Sequence, residues 1–169
     1  MDNAKVARKL DLASPSTQCY SCVVIPDFDP DTGNLPSGEH AATWQDMLDR
    51  FGCTAWRLQL LTGMLDALRL LKLAGCARAY IDGSFVTHKE EPGDFDACWD
   101  SDGVDFDLVD ERLLTFDRGR ATQKAAFLGE LFIADARADP QGTLFLDFFQ
   151  TDREGRRKGI VVIELKDLP

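Results

Sequence analysis

"IDGSFVTHKEEPGDFDACWD", residues 81–100, is the stretch whose reading decides the fold. An apolar run, "ARAYIDG", enters it and breaks at Gly83-Ser84, and a second alternating run, "DFDACWD", leaves it. Two short strands joined by a polar loop are predicted. On the second strand, alternation puts Asp94 and Asp96 on one face, about 7 Å apart at their Cα atoms. Carboxylates that close repel, and half-buried ones are costly unless a cation neutralises them. A divalent metal is the obvious partner, and two ions ~4 Å apart suit in-line phosphoryl displacement. Gly83 leaves room for a phosphate beside the backbone, Ser84 adds a hydroxyl, and the amides of a following short helix can face the anion. The plain alternative is two surface acids in an acidic loop.

Outward from this stretch, the elements alternate. On the N-terminal side, "TWQDMLDRF" (43–51) reads as a short helix capped by Thr43 and ended by Gly52. "TAWRLQLLTGMLDALRLLKLAGC" (54–76) carries Leu58, Leu61, Met64, Leu65, Leu68 and Leu71 at helical spacing, with Gly75 as its stop. Those leucines need nothing beyond a sheet to pack on. On the C-terminal side, "RATQKAAFLGELFIADA" (120–136) reads as a helix running into a strand at 131–134. "GTLFLDFFQTD" (142–152) is ambiguous between helix and strand, and "GIVVIELK" (159–166) is a strand by its β-branched run. The order is helix, helix, strand, strand, helix, strand, helix, strand. It predicts an α/β (α+β) domain: a small mixed sheet with helices packed mainly on one face.

Residues 1–19 read as a polar tail without the apolar core of a secretory signal, and 20–169 as a single domain with an N-terminal arm over 20–40. No apolar run approaches the ~20 residues that span a bilayer, so a cytoplasmic protein without membrane association is expected. In the arm, Asp27, Asp29 and Asp31 resemble the start of a calcium loop, but glycine comes one position late and Gly38 stands where glutamate belongs. Asx turns explain the same residues. Cys19 and Cys22 form a CxxC without a second pair, and an odd total of five cysteines argues against a disulfide framework. Net charge is −10, and residues 82–117 hold twelve acids against Lys89 and Arg112, so that segment carries the whole surplus. Such a balance disfavours broad DNA or RNA backbone binding, although Arg153, Arg156, Arg157 and Lys158 make a local basic cluster.

Strand, Gly83-Ser84, then Asp94-x-Asp96 on the next strand resembles the signature of the DNA polymerase β-like nucleotidyltransferase superfamily. More narrowly, the chain resembles a family of small uncharacterised bacterial proteins with a minimal nucleotidyltransferase-like core. "IPDFDPDTGNLPSGEH", "ATWQDMLDRFG" and "DFFQTDREGRRKGIVVIEL" carry that match, which covers about residues 24–165. The resemblance implies magnesium- or manganese-dependent transfer of a nucleoside monophosphate from a nucleoside triphosphate to an acceptor, a protein side chain or a tRNA end. It sets Gly83 and Ser84 on the triphosphate and Asp94 and Asp96 on the metals. A third carboxylate is expected on the strand after the intervening helix, with Glu130 the first candidate, then Asp135, and Asp147 a distant third. Lys89 and Lys158 are candidate phosphate ligands, or else solvated lysines, and His88 is a weaker candidate base that can as well face solvent. Small members of the superfamily often act in toxin-antitoxin or phage-defence pairs. A catalytically silent binding or regulatory partner is the alternative, since no second domain is evident to bind the acceptor.

Overall fold

The computed structural model describes residues 25–169; the CxxC and most of the apolar start of the arm lie outside them. The chain runs as β1 (Gly38–Ala42), α1 (Trp44–Phe51), α2 (Ala55–Leu73), β2 (Arg78–Asp82), β3 (Phe95–Trp99), α3 (Ala121–Phe127), β4 (Gly129–Ile133), α4 (Phe145–Phe149) and β5 (Gly159–Glu164). The strands form one mixed sheet in the order β1-β5-β2-β3-β4. β5 pairs parallel to β1 and antiparallel to β2, β2 is antiparallel to β3, and β3 is parallel to β4. This is the small α+β fold expected from the pattern, with one strand added. "GEHAA" has no β-branched residue to mark β1, so the sequence read it as the end of an arm. What makes it a strand is β5 alongside it.

Local chemistry sets the helix ends. Thr43 and Asp46 form a reciprocal box at the start of α1, Thr43 N–H donating to the Asp46 carboxylate at 2.8 Å and Asp46 N–H to Thr43 Oγ1 at 3.1 Å. Thr54 caps α2, and beyond its end Gly75 takes a φ of 92°, a left-handed turn that favours glycine. α2 buries Leu60, Leu61, Met64, Ala67, Leu68 and Leu71. One position departs from the predicted stripe: Leu58 is 45% exposed, whereas Arg57 is buried at 3%.

The strands divide the molecule into two faces. Ala79, Ile81, Phe95, Ala97, Trp99, Leu131, Val161 and Ile163 point to the main core, where they meet α1, α2 and Phe127 of α3. Gly63 allows α2 and α3 this close, since a Cβ there would lie 2.0 Å from the Phe127 carbonyl oxygen. The opposite face is only partly covered. Tyr80, Cys98, Ile160 and Val162 pack with Phe149, and Phe132 and Phe145 join them. The ambiguous segment therefore forms a short helix, α4, and it lies on the face away from the other three. The uncovered part of that face is where charge collects.

Candidate active-site cleft

Register builds the site. Asp82 on β2 is the Cα partner of Asp96 on β3, and Asp96 is the partner of Glu130 on β4. Three acids thus stand in one row across three adjacent strands, on the face away from the main core, with Asp94 just before β3. Two lysines reach into the row. Lys158 Nζ donates to both oxygens of buried Asp82, at 2.6 and 2.7 Å. Lys124, from α3, bridges Asp94 at 2.9 Å and Glu130 at 2.5 Å.

Asp96 lies between the other acids, and among the described residues no hydrogen bond or ion pair to its carboxylate is formed. Burial pushes its pKa up to about 7, the charges of Asp94, Asp82 and Glu130 push the same way, and Lys124 pulls back. Burial also raises Asp82, against the pull of Lys158. Lys124 is raised in turn by its hydrogen bonds to Glu130 and Asp94. Gly83 has a φ of 76°, and a Cβ there would lie 2.1 Å from Asp96 Oδ2. The glycine read from sequence as room for a phosphate first makes room for that carboxylate.

An open cleft of 1090 Å³ lies over the row. Gly83, Ser84, Lys89, Asp94, Asp96, Glu130 and Lys158 all line it, so the structure brings every residue of the predicted site together. Ser84 opens a single 3₁₀ turn, Ser84–Val86, and its carbonyl accepts from Thr87 Oγ1. Buried Arg57 holds the loop from below, donating to the carbonyls of Phe85, Thr87 and Lys89 at 2.8 to 3.3 Å. The other wall holds Phe132, Phe145, Phe148 and Phe149 and the basic Arg153 and Arg156.

The weaker candidates fall elsewhere. Asp135 accepts from Ser101 Oγ at 2.9 Å, and neither it nor Asp147, on α4, lines the cleft. His88 packs on the Gly33 turn, its N–H donating to the Gly33 carbonyl at 3.0 Å. Asp29 accepts from the amides of Asp31 and Thr32, the expected Asx turn, while Asp27 faces Arg50. Trp99, on the opposite face of β3 from Asp96, is a buried core residue. Asp82 and Lys124 were missed. Asp82 ends an apolar strand and reads as its cap until strand register sets it beside Asp96. Lys124 had a faint signal, a lysine six residues before Glu130 in the helix that leads into its strand. Among the described residues no three His, Cys, Asp or Glu side chains already converge on one point as metal ligands.

Fold and cleft together define a small α+β protein with an acidic row opening beside a glycine-serine turn. The family of unknown function DUF6932 matches residues 26–164, and the chain belongs to that family. The match holds the whole sheet and every residue that lines the cleft. No curated protein and no solved structure matches the chain.

Proposed function

We propose that the protein is a metal-dependent nucleotidyltransferase that moves a nucleoside monophosphate from a nucleoside triphosphate to a hydroxyl of a protein or a tRNA, the hydroxyl oxygen bonding to the α-phosphorus as pyrophosphate leaves and its proton passes to the carboxylate row. The observation that carries this reading is the row Asp82–Asp96–Glu130, in register on three strands and opening beside Gly83-Ser84. A row of carboxylates repels a polyphosphate, so a triphosphate settles there only with divalent cations between the two. Carboxylates are the right donors for such an ion, and they can close on one only after Lys124 moves aside. Among the described residues Asp96 has no counter-charge of its own, and Lys124, 42% exposed, can give up Asp94 and Glu130 and turn to solvent. Asp94, Asp96 and Glu130 would hold magnesium or manganese, which would bind phosphate oxygens and offset the charge that develops on transfer. Ser84 and Lys89 orient the phosphates from the loop that Arg57 fixes. Lys158 holds Asp82 in place and pulls it toward its charged form against the effect of burial. The acidic surface over residues 82–117 favours a protein acceptor over a tRNA, whose backbone it would repel.

A second reading, a nucleotide-binding partner that performs no transfer, draws on Lys124: an ammonium already bridging Asp94 and Glu130 offsets charge without a metal. Incorporation of radiolabel from each of the four α-labelled triphosphates into a cell lysate separates the two. An active enzyme labels an acceptor, and Asp96→Asn or Glu130→Gln lowers the rate on the order of 10²-fold or more. Labelling that survives both substitutions overturns the proposed site. Tight triphosphate binding without incorporation under any condition assigns the silent reading.

A further inference from the structure

Beyond the acid row, the cleft changes character. Phe132, two residues along β4 from Glu130, begins an aromatic wall that continues into α4. The Phe132 and Phe145 rings lie 4.3 Å apart, Phe145 and Phe148 6.4 Å, and Phe148 and Phe149 6.0 Å. Most of this wall is spent on packing. Phe149 is buried, and the Arg120 guanidinium covers Phe132 at 4.1 Å. Phe148 differs: it lines the cleft yet is 50% exposed. Its backbone is fixed, with its N–H donating to the Leu144 carbonyl at 2.9 Å and its own carbonyl accepting from Thr151 N–H at 3.1 Å. A cleft with carboxylates and lysines at one end and a held, open aromatic ring at the other is matched by a ligand with a charged end and a flat ring.

We propose that Phe148 is a stacking platform for the base of the nucleotide, so that the cleft selects nucleotides over polyphosphates and purines over pyrimidines. The inference rests on the function proposed above. A ring face offers no hydrogen-bond pattern, so stacking sorts bases by their area and does not pick a single one. Phosphates would lie over Ser84 and Lys89, and the base over α4.

Calorimetric titration in magnesium tests this with two probes, inorganic tripolyphosphate and a nonhydrolysable ATP analogue, against wild type, Phe148→Ala and Phe148→Trp. The wild type should bind the ATP analogue roughly tenfold or more tighter than tripolyphosphate. Phe148→Ala should erase most of that margin and leave tripolyphosphate binding unchanged, which also shows that the variant is folded. Phe148→Trp should keep or widen the margin, and a CTP analogue should show a smaller one. A margin untouched by Phe148→Ala overturns the platform. So does a wild type that binds both probes alike, and in that case the triphosphate site stands. A wild type that binds neither probe removes both readings.

Discussion

Asp96 carries a price that its neighbours set. A buried carboxyl raised from an ordinary value near 4 to about 7 binds its proton more tightly in the folded chain than in the unfolded one. Its stabilising effect is therefore complete below the unfolded value and is lost as pH rises through about 7. Asp82, also raised by burial, acts in the same direction. In EDTA, the wild type should lose stability from about pH 4 to 7, by an amount on the order of a few kcal/mol, and change little above. Asp96→Asn should flatten most of that slope and melt higher than wild type at pH 8. Urea denaturation across this range measures it, and a slope that survives Asp96→Asn would mean the carboxylate is not strained. At this scale alternation, a local fact, put Asp94 and Asp96 on one face, whereas Glu130 entered only through the family resemblance, ahead of Asp135. The sequence was silent on Asp82, whose meaning comes from which strand lies beside it.

Arg57 ties one element to another. It leaves the buried face of α2, stacks 4.8 Å over the Phe85 ring and satisfies three loop carbonyls. Methionine keeps much of its length and apolar stem but no donors. Arg57→Met should destabilise the fold by roughly 2–4 kcal/mol, since buried carbonyls lose their partners. Amide exchange should quicken most over residues 84–89. Unchanged stability together with unchanged exchange would show that the loop holds itself. Helical periodicity marked α2 well, yet it put Leu58 inward where Arg57 goes. Spacing cannot register a guanidinium drawn in by carbonyls some thirty residues away. The same limit hid β1 and left α4 undecided. α4 is five residues long, too short for a period, and it buries Phe149 while Phe148 stays in water.

Across the whole molecule, charge is unevenly spread. Lys124 and Lys158 are the close counter-ions of the row among the described residues, and the net charge is −10. A bound divalent ion should therefore raise the melting temperature by mass action. Millimolar magnesium should raise it more than sodium chloride of equal ionic strength does, and Asp94→Asn with Asp96→Asn should lose that excess. An equal excess in the double variant would place the cation elsewhere. Class was legible because α1, α2, β2, β3 and β5 each announce themselves over five to twenty residues, even with β1 hidden and α4 undecided. Strand order was not, since it depends on partners distant in sequence.

That order has a consequence for how the chain is made. β5, residues 159–164, lies between β1 and β2, its partners more than seventy residues earlier in the sequence. A ribosome delivers β1 and β2 long before the strand that joins them, so both wait with open edges. Lys158 arrives with β5, which leaves Asp82 without its ammonium until the same moment. During synthesis the cleft thus stays incomplete until β5 arrives, and Asp82 meets its counter-charge only then, whereas Lys124 is already in the chain for Asp94 and Glu130.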